Sequence, residues 1–309
     1  MKQRFISKPR KKRLKLKLLF FVFLFIFSIY KTFGYLLKSN IKIDDKVLVN
    51  LMLNDTYNND YGVLEELMNT IKENYCPSNL LMTNYYDLPK PKKSIIPVDK
   101  KENSDYLVYV YNTHQTEEYA PNSFLEQQIN PTVMMASYII EDVFNKNGYK
   151  TLVEERKIKD ILNQNNWKYY RSYDASRIYL NDSKEKNPTL KYFIDVHRDS
   201  LTKEKTTVSI NGKSFAKTIF LLGMENPNYQ DNLDFITKIN NKMNEKYPNL
   251  SKGIYKKSGS GVNGVYNQDN SKYTILVEIG GVDNTTDEVL NSTLAFTECF
   301  LEVINTSEG

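Results

Sequence analysis

Apolar residues fall into three regimes along this chain. Leu18 to Leu37 is a nearly continuous apolar run, interrupted only by short polar residues and Lys31. A helix of that length spans about 30 Å, the thickness of a bilayer core, so the run predicts a transmembrane anchor at 18–37. Residues 38–104 lose this density and read as a stalk. Within it, Val63, Leu64, Leu67 and Ile71 recur at spacings near 3.6 and predict a short amphipathic helix between Asp60 and Tyr75. The proline- and lysine-rich stretch 88–104 predicts an extended linker. From Asp105 onward, short apolar runs alternate with helical periodicity.

That last region predicts strands at 106–111, 150–154, 191–196 and 273–278, and helices at 131–147, 168–181, 230–246 and 286–304. Asn211-Gly212 between Thr207–Ile210 and Lys213–Leu222 predicts a hairpin. Thr285-Thr286-Asp287-Glu288 opens the last helix with a capping-box pattern. Strands alternating with helices of this length predict one α/β domain over 105–305, with a largely parallel sheet flanked by helices.

Charge refines the N-terminus. Residues 1–17 carry nine Lys or Arg and no acid, which predicts a cytosolic basic tail with the bulk of the chain outside the membrane. Leu18 to Phe27 also has the length of a signal-peptide core, so a cleaved signal is the competing reading. Ser28-Ile29-Tyr30-Lys31 makes a poor cleavage site. Removing the nine tail cations from the formal +5 leaves about −4 for residues 18–309, so a nucleic-acid footprint is absent. Cys76 and Cys299 are the only cysteines, too few for a disulfide framework and without metal-ligand spacing. Cys299 lies in a helical pattern and reads as a packed residue. An outer compartment would also permit a single bridge between the two.

The chemistry lies at three strand ends. The only two histidines each close an apolar run, His114 after 106–111 and His197 after 191–196, and each is followed by an acid. Glu278 closes a third run and precedes Ile279-Gly280-Gly281. Ligands of open α/β sheets sit outside the carboxyl ends of the strands, so the three endings can meet in one crevice. His114 and Glu117 are three apart, a spacing that a tight turn can aim at one ion. With His197 they make a three-ligand zinc site that leaves a position for water. Glu118 and Glu141 are the competing oxygen ligands. Glu278 is placed as the general base and acid. Asp195 or Asp199 would orient His197, and Arg198 would stabilise an oxyanion or hold a substrate carboxylate. Tyr169, Tyr170 and Tyr173 are candidates for lining a sugar-peptide groove. Gly259-Ser-Gly261-Val-Asn-Gly264 is too irregular for a phosphate loop and reads as a flexible loop.

The blocks carrying these residues resemble a known family. Asn112-Thr-His-Gln-Thr-Glu-Glu-Tyr119 is similar to the His-Thr-His-x-x-Glu-x-Tyr signature of the stage II sporulation protein P family. Ile194-Asp-Val-His-Arg-Asp199 resembles its Asp-Ile-His-Arg-Asp block. Gly223-Met-Glu-Asn-Pro-Asn-Tyr229 with Asn232, Tyr266-Asn-Gln-Asp269, and Val277-Glu-Ile-Gly-Gly-Val-Asp-Asn284 match further blocks in order. Tyr170–Arg177 is a looser match.

The resemblance implies a membrane-anchored N-acetylmuramoyl-L-alanine amidase that also cuts peptide cross-links and acts during engulfment of the forespore. It implies a zinc amidase or carboxypeptidase-like domain, with His114, Glu117 and His197 as metal ligands and Glu278 as the catalytic acid/base. Arg198 and Asn267 are the expected substrate-binding residues. Peptidoglycan is the expected partner, with a lytic transglycosylase and a membrane protein of the engulfment complex, at the septal or engulfing membrane. Asn112 departs from the signature, replacing its first histidine, and is expected behind the ligands or facing substrate. A zinc peptidase acting on wall peptides, and an inactive wall-binding scaffold module, are the alternatives.

Overall fold

The computed structural model describes residues 45–58, 105–119 and 131–307. The basic tail, the anchor at 18–37, the helix expected between Asp60 and Tyr75, Cys76 and the linker at 88–104 lie outside the described residues. Among the described residues no helix is long and apolar enough to cross a membrane.

The elements are α1 (Asp45–Asn58), β1 (Val108–Tyr111), α2 (Met134–Lys146), β2 (Thr151–Val153), α3 (Ile158–Gln164), α4 (Ser172–Lys186), β3 (Tyr192–His197), β4 (Thr207–Ile210), β5 (Lys213–Ala216), β6 (Thr218–Gly223), α5 (Tyr229–Lys246), β7 (Ser251–Lys257), β8 (Thr274–Ile279) and α6 (Thr286–Ser307). Six strands form one sheet in the order β2-β1-β3-β8-β6-β7. The first four run parallel, and β6 pairs antiparallel with β8 and carries β7 parallel to itself.

Strand periodicity sorts the core. Tyr192, on β3, packs against Phe235 of α5 and Phe300 of α6. Its neighbour Phe193 faces the other way, into a cluster with Tyr109, Tyr111 and Leu180 of α4. The parallel strands are thus buried on both faces, as the continuous apolar runs require. Emptying a site such as Phe193 by truncation to alanine costs about 3–5 kcal/mol.

Three features depart from the pattern-based expectation. The strand expected over Lys213–Leu222 is broken at Lys217. Its first half pairs with β4 in a separate two-stranded sheet, and its second half is β6 of the main sheet. The Asn211-Gly212 turn itself is as expected, with both residues at positive φ. Helix α3 is only seven residues long, a single i, i+3, i+4 set of Ile158, Ile161 and Leu162, and edge strand β7 lacks alternation, so neither was legible. Helix α1, within the stretch read as stalk, packs on α2 and buries Leu48, Val49, Met52 and Leu53. Its Asp45 accepts hydrogen bonds from the amide and hydroxyl of Thr132, at 2.9 and 2.6 Å.

Candidate active site at the strand ends

β1 and β3 end side by side, and the chain leaving each carries a histidine. After Tyr111 a turn closes with Glu117 N donating to His114 O at 3.0 Å, which sets His114 and Glu117 on one side. The turn is bracketed on its far flank, where Tyr119 N donates to Pro131 O and Val133 N to Glu117 O. The Tyr119 hydroxyl reaches across to Ile279 O at the end of β8, 2.8 Å away. The strand-end turn is therefore fixed from both sides.

The rings and carboxylates gather around His197. Its Nδ1 lies 3.6 Å from Glu117 Oε2, and its Nε2 lies 2.9 Å from Asp195 Oδ1. The His114 ring is 5.2 Å from the His197 ring, nearly perpendicular to it. Tyr173 of α4 stacks parallel to His197 and edges onto His114, and Tyr169 stacks on His114 at 4.8 Å. Glu278 is the register partner of His197 across the β3–β8 pairing, so both side chains leave the same face of the sheet.

Electrostatics pull the two histidines apart. Burial, and then the neighbouring His197, push the His114 pKa down to about 4. Burial works the same way on His197, but Asp195 and Glu117 outweigh it and push the value up to about 10. Burial raises Glu117, and contact with His197 and the Arg198 amide more than reverses it, holding the carboxyl below its ordinary value. Glu278 is pushed up to about 7, first by burial and then by the charge of Asp199. A carboxyl poised there exchanges protons readily near neutrality.

The alternatives left open by the sequence separate spatially. The Glu118 side chain is exposed, and its backbone carbonyl accepts from Arg198 Nε at 2.6 Å. Glu141 sits on α2 among Lys46, Glu155 and Asp142. Asp195 is the acid against His197, whereas Asp199 turns away to Lys252 and to the amide of Leu201. Asn112 points into the protein interior. It is buried, donates to Val196 O at 2.7 Å and accepts from Ser137 Oγ at 2.8 Å, tying β1 to β3 and α2. Arg198 is pinned by the carbonyls of Glu118 and Asp199. Asn267 is buried and left-handed, with its amide nitrogen on Ser176 Oγ and Tyr173 O, so it braces α4.

Thr113 and Ser176 had no signal in the sequence. Thr113 donates its amide and hydroxyl to Asp195, and its hydroxyl lies 2.9 Å from Ser176 Oγ. Tyr266, at φ +54°, edges onto Tyr173 and completes the aromatic wall.

The donor set suits a borderline-soft dication, with two imidazoles and a carboxylate. His114 Nδ1 is buried without a hydrogen-bond partner, as a nitrogen reserved for a ligand would be. Among the described residues no three such side chains converge tightly enough to make a finished coordination sphere. The residues fit zinc by chemistry and by this unspent nitrogen.

Family comparison agrees with the block pattern. The family model for stage II sporulation protein P matches residues 45–301. The chain belongs to that family. Stage II sporulation protein P of Bacillus subtilis (strain 168) is 36% identical over 205 residues, covering 64% of this chain and 51% of that protein. The chain thus matches about half the length of this curated relative. Among solved structures, Cwp6 from Clostridium difficile aligns with a TM-score of 0.42 at 12% identity, over 67% of this chain and 30% of that one. A metallo-carboxypeptidase from Burkholderia cenocepacia aligns with a TM-score of 0.38 at 8% identity, over 66% and 58%. The family match starts at Asp45, the first residue of α1.

Proposed function

We propose that this chain is a membrane-anchored, zinc-dependent peptidoglycan hydrolase that cleaves the amide between N-acetylmuramic acid and L-alanine. The observation that carries the proposal is the meeting of His114, Glu117 and His197 at two adjacent strand ends, with Glu278 in register on the third. His114, Glu117 and His197 would hold the metal. When bound, zinc supplies a Lewis acid for the scissile carbonyl and acidifies the attacking water.

The chain's own residues do the rest. Glu278, near neutrality in its affinity for protons, takes a proton from the attacking water and returns it to the leaving nitrogen. Asp195 holds the His197 ring, and Thr113 holds Asp195. Arg198 keeps a fixed positive charge beside the site, suited to an oxyanion or a substrate carboxylate. Tyr173 and Tyr266 form a wall that limits water around the two imidazoles.

The anchor at 18–37 and its basic flank support a place at the septal or engulfing membrane, with the domain facing the wall. Family membership supports a role in engulfment alongside a lytic transglycosylase and a membrane partner. The same residue set serves peptide hydrolysis, so cutting of cross-links belongs to the proposal as a second activity. Asn112, which alone favoured an inactive scaffold, is accounted for by its buried hydrogen bonds.

Digestion of purified peptidoglycan, with mass spectrometry of the products, tests the reading. Free glycan strands and stem peptides beginning at L-alanine, abolished by chelator and by His197→Ala, are expected. Cross-link fragments alone would make the enzyme a peptidase, and no products from zinc-loaded protein would remove the amidase reading.

A further inference from the structure

Tyr169 is spatially misplaced for an ordinary surface tyrosine. More than half of the residue (58%) is open to solvent, yet its ring is stacked on His114 at 4.8 Å and 27°. A large ring left in water on top of a partly buried histidine is an informative exposure, because core packing does not require it. The turn that holds it is rigid. Ser172 Oγ donates to Tyr169 O at 2.6 Å, and Arg171 N donates to Lys168 O at 2.9 Å. The Arg171 guanidinium sits 4.5 Å over the ring of Trp167, which packs on the Ile158, Ile161, Leu162, Ala175 and Tyr179 cluster. The ring is thus preorganised, with one face on His114 and the remainder available.

We infer that Tyr169 is a stacking platform for the sugar ring next to the scissile amide, which places the glycan on the His114 side of the site. The inference deepens the hydrolase reading and rests on it. A pyranose presents one face of C–H groups edged by hydroxyls. A flat, fixed tyrosine offers the matching apolar surface at low entropic cost, with a polar tip at its edge. The Arg171 guanidinium does not compete for that face, since it is engaged with Trp167 and Asp174. A charged peptide would gain little from the same ring, so the chemistry selects the C–H face of the sugar.

The test uses the full chain in detergent, zinc-loaded, with Tyr169→Ala, Tyr169→Phe and, as a control, Tyr255→Ala, an exposed tyrosine of edge strand β7. Two readouts are taken: hydrolysis of soluble glycan-peptide fragments, and calorimetric binding of peptide-free oligosaccharides of alternating N-acetylglucosamine and N-acetylmuramic acid. Tyr169→Ala should raise KM about tenfold with kcat within about twofold, and weaken oligosaccharide binding by a similar factor. Tyr169→Phe and Tyr255→Ala should behave as wild type. Unchanged KM and binding in Tyr169→Ala, or an equal loss in Tyr169→Phe, would overturn the platform. A matching loss of affinity for free stem peptide would overturn the sugar assignment. If the wild type binds oligosaccharide through Tyr169 but hydrolyses nothing, the platform stands and the amidase reading falls. Absence of oligosaccharide binding by the wild type overturns the platform itself.

Discussion

Asp195 accepts both the amide and the hydroxyl of Thr113, at 2.9 and 2.7 Å, while its first oxygen also lies 2.9 Å from His197 Nε2. One fully buried carboxylate therefore links the residue before His114 to the ring of His197. A group that orients a ligand this way tunes metal affinity without touching the metal.

Asp195→Asn keeps the shape, removes the charge and replaces an acceptor with a donor. Zinc affinity should fall about 10–100-fold, a change visible by competition with a chromophoric chelator. Thr113→Val, which spares Asp195 but loses the hydroxyl bond, should cost about 1 kcal/mol of stability and a smaller part of the affinity. Equal effects from the two variants would contradict the linkage.

Glu278→Gln should leave zinc content intact and slow turnover by about 10²–10⁴-fold. The pH profile carries more information. As a base Glu278 acts deprotonated, so kcat/KM should fall on the acid side. The acid limb should lie below pH 7 once a cation sits nearby, because positive charge favours the carboxylate. Asp199 raises the Glu278 pKa, so Asp199→Asn should move that limb to still lower pH. A limb that stays in place in Asp199→Asn would assign it to another group.

Away from the site, Glu154 is held between Tyr109 and Arg156. The Tyr109 hydroxyl donates at 2.6 Å, and Arg156 contributes its backbone amide and two guanidinium nitrogens. Burial raises the Glu154 pKa, and the bonds from Arg156 and Tyr109 more than reverse it. A depressed carboxylate stabilises the fold above its unfolded pKa and loses that contribution as pH falls through the folded value. Glu154→Gln should cost about 2 kcal/mol at pH 7, or roughly 4–8 °C in Tm, and much less under strongly acidic conditions. Thermal unfolding at the two pH values checks the sign.

Gly281→Ala tests the loop after β8. A Cβ there would overlap Leu201 O, a backbone atom that cannot rotate away. The variant should lose at least about 2 kcal/mol in denaturant unfolding and should release Asp199, whose amide bonds Gly280 O. Wild-type stability would mean that the loop has slack.

Much of the fold was legible in the chain itself. Buried parallel strands need apolar side chains on both faces, and the runs ending at Tyr111, His197 and Ile279 show this directly. Helices α2, α5 and α6 carry apolar stripes, and α6 opens with its capping pair, in which Glu288 N bonds the Thr285 hydroxyl. Strand β7 was not legible, since Ser-Lys-Gly-Ile-Tyr-Lys-Lys on a sheet edge needs lysines to stay soluble rather than alternation. Nor was the break at Lys217, whose amide bonds Thr206 O and whose carbonyl accepts from Gly280, because partners outside the local run, Gly280 among them from just past β8, decide it.

By itself the sequence determined which residues could do chemistry. Two histidines in the whole chain, each at a strand end with an acid two or three residues away, leave few ways to build a metal site. Only the tertiary structure decided which acid serves which histidine. Glu117 rather than Glu118 or Glu141 meets His197, because the turn after β1 aims it there. Asp195 rather than Asp199 backs it, because Asp195 lies within β3 on the same face as His197 while Asp199 lies past the strand end and bonds Lys252 and the Leu201 amide. The aromatic wall of Tyr169, Tyr173 and Tyr266 was likewise decided in three dimensions. It is assembled from a helix and a loop that meet over the sheet, and no local pattern encodes where two distant segments touch.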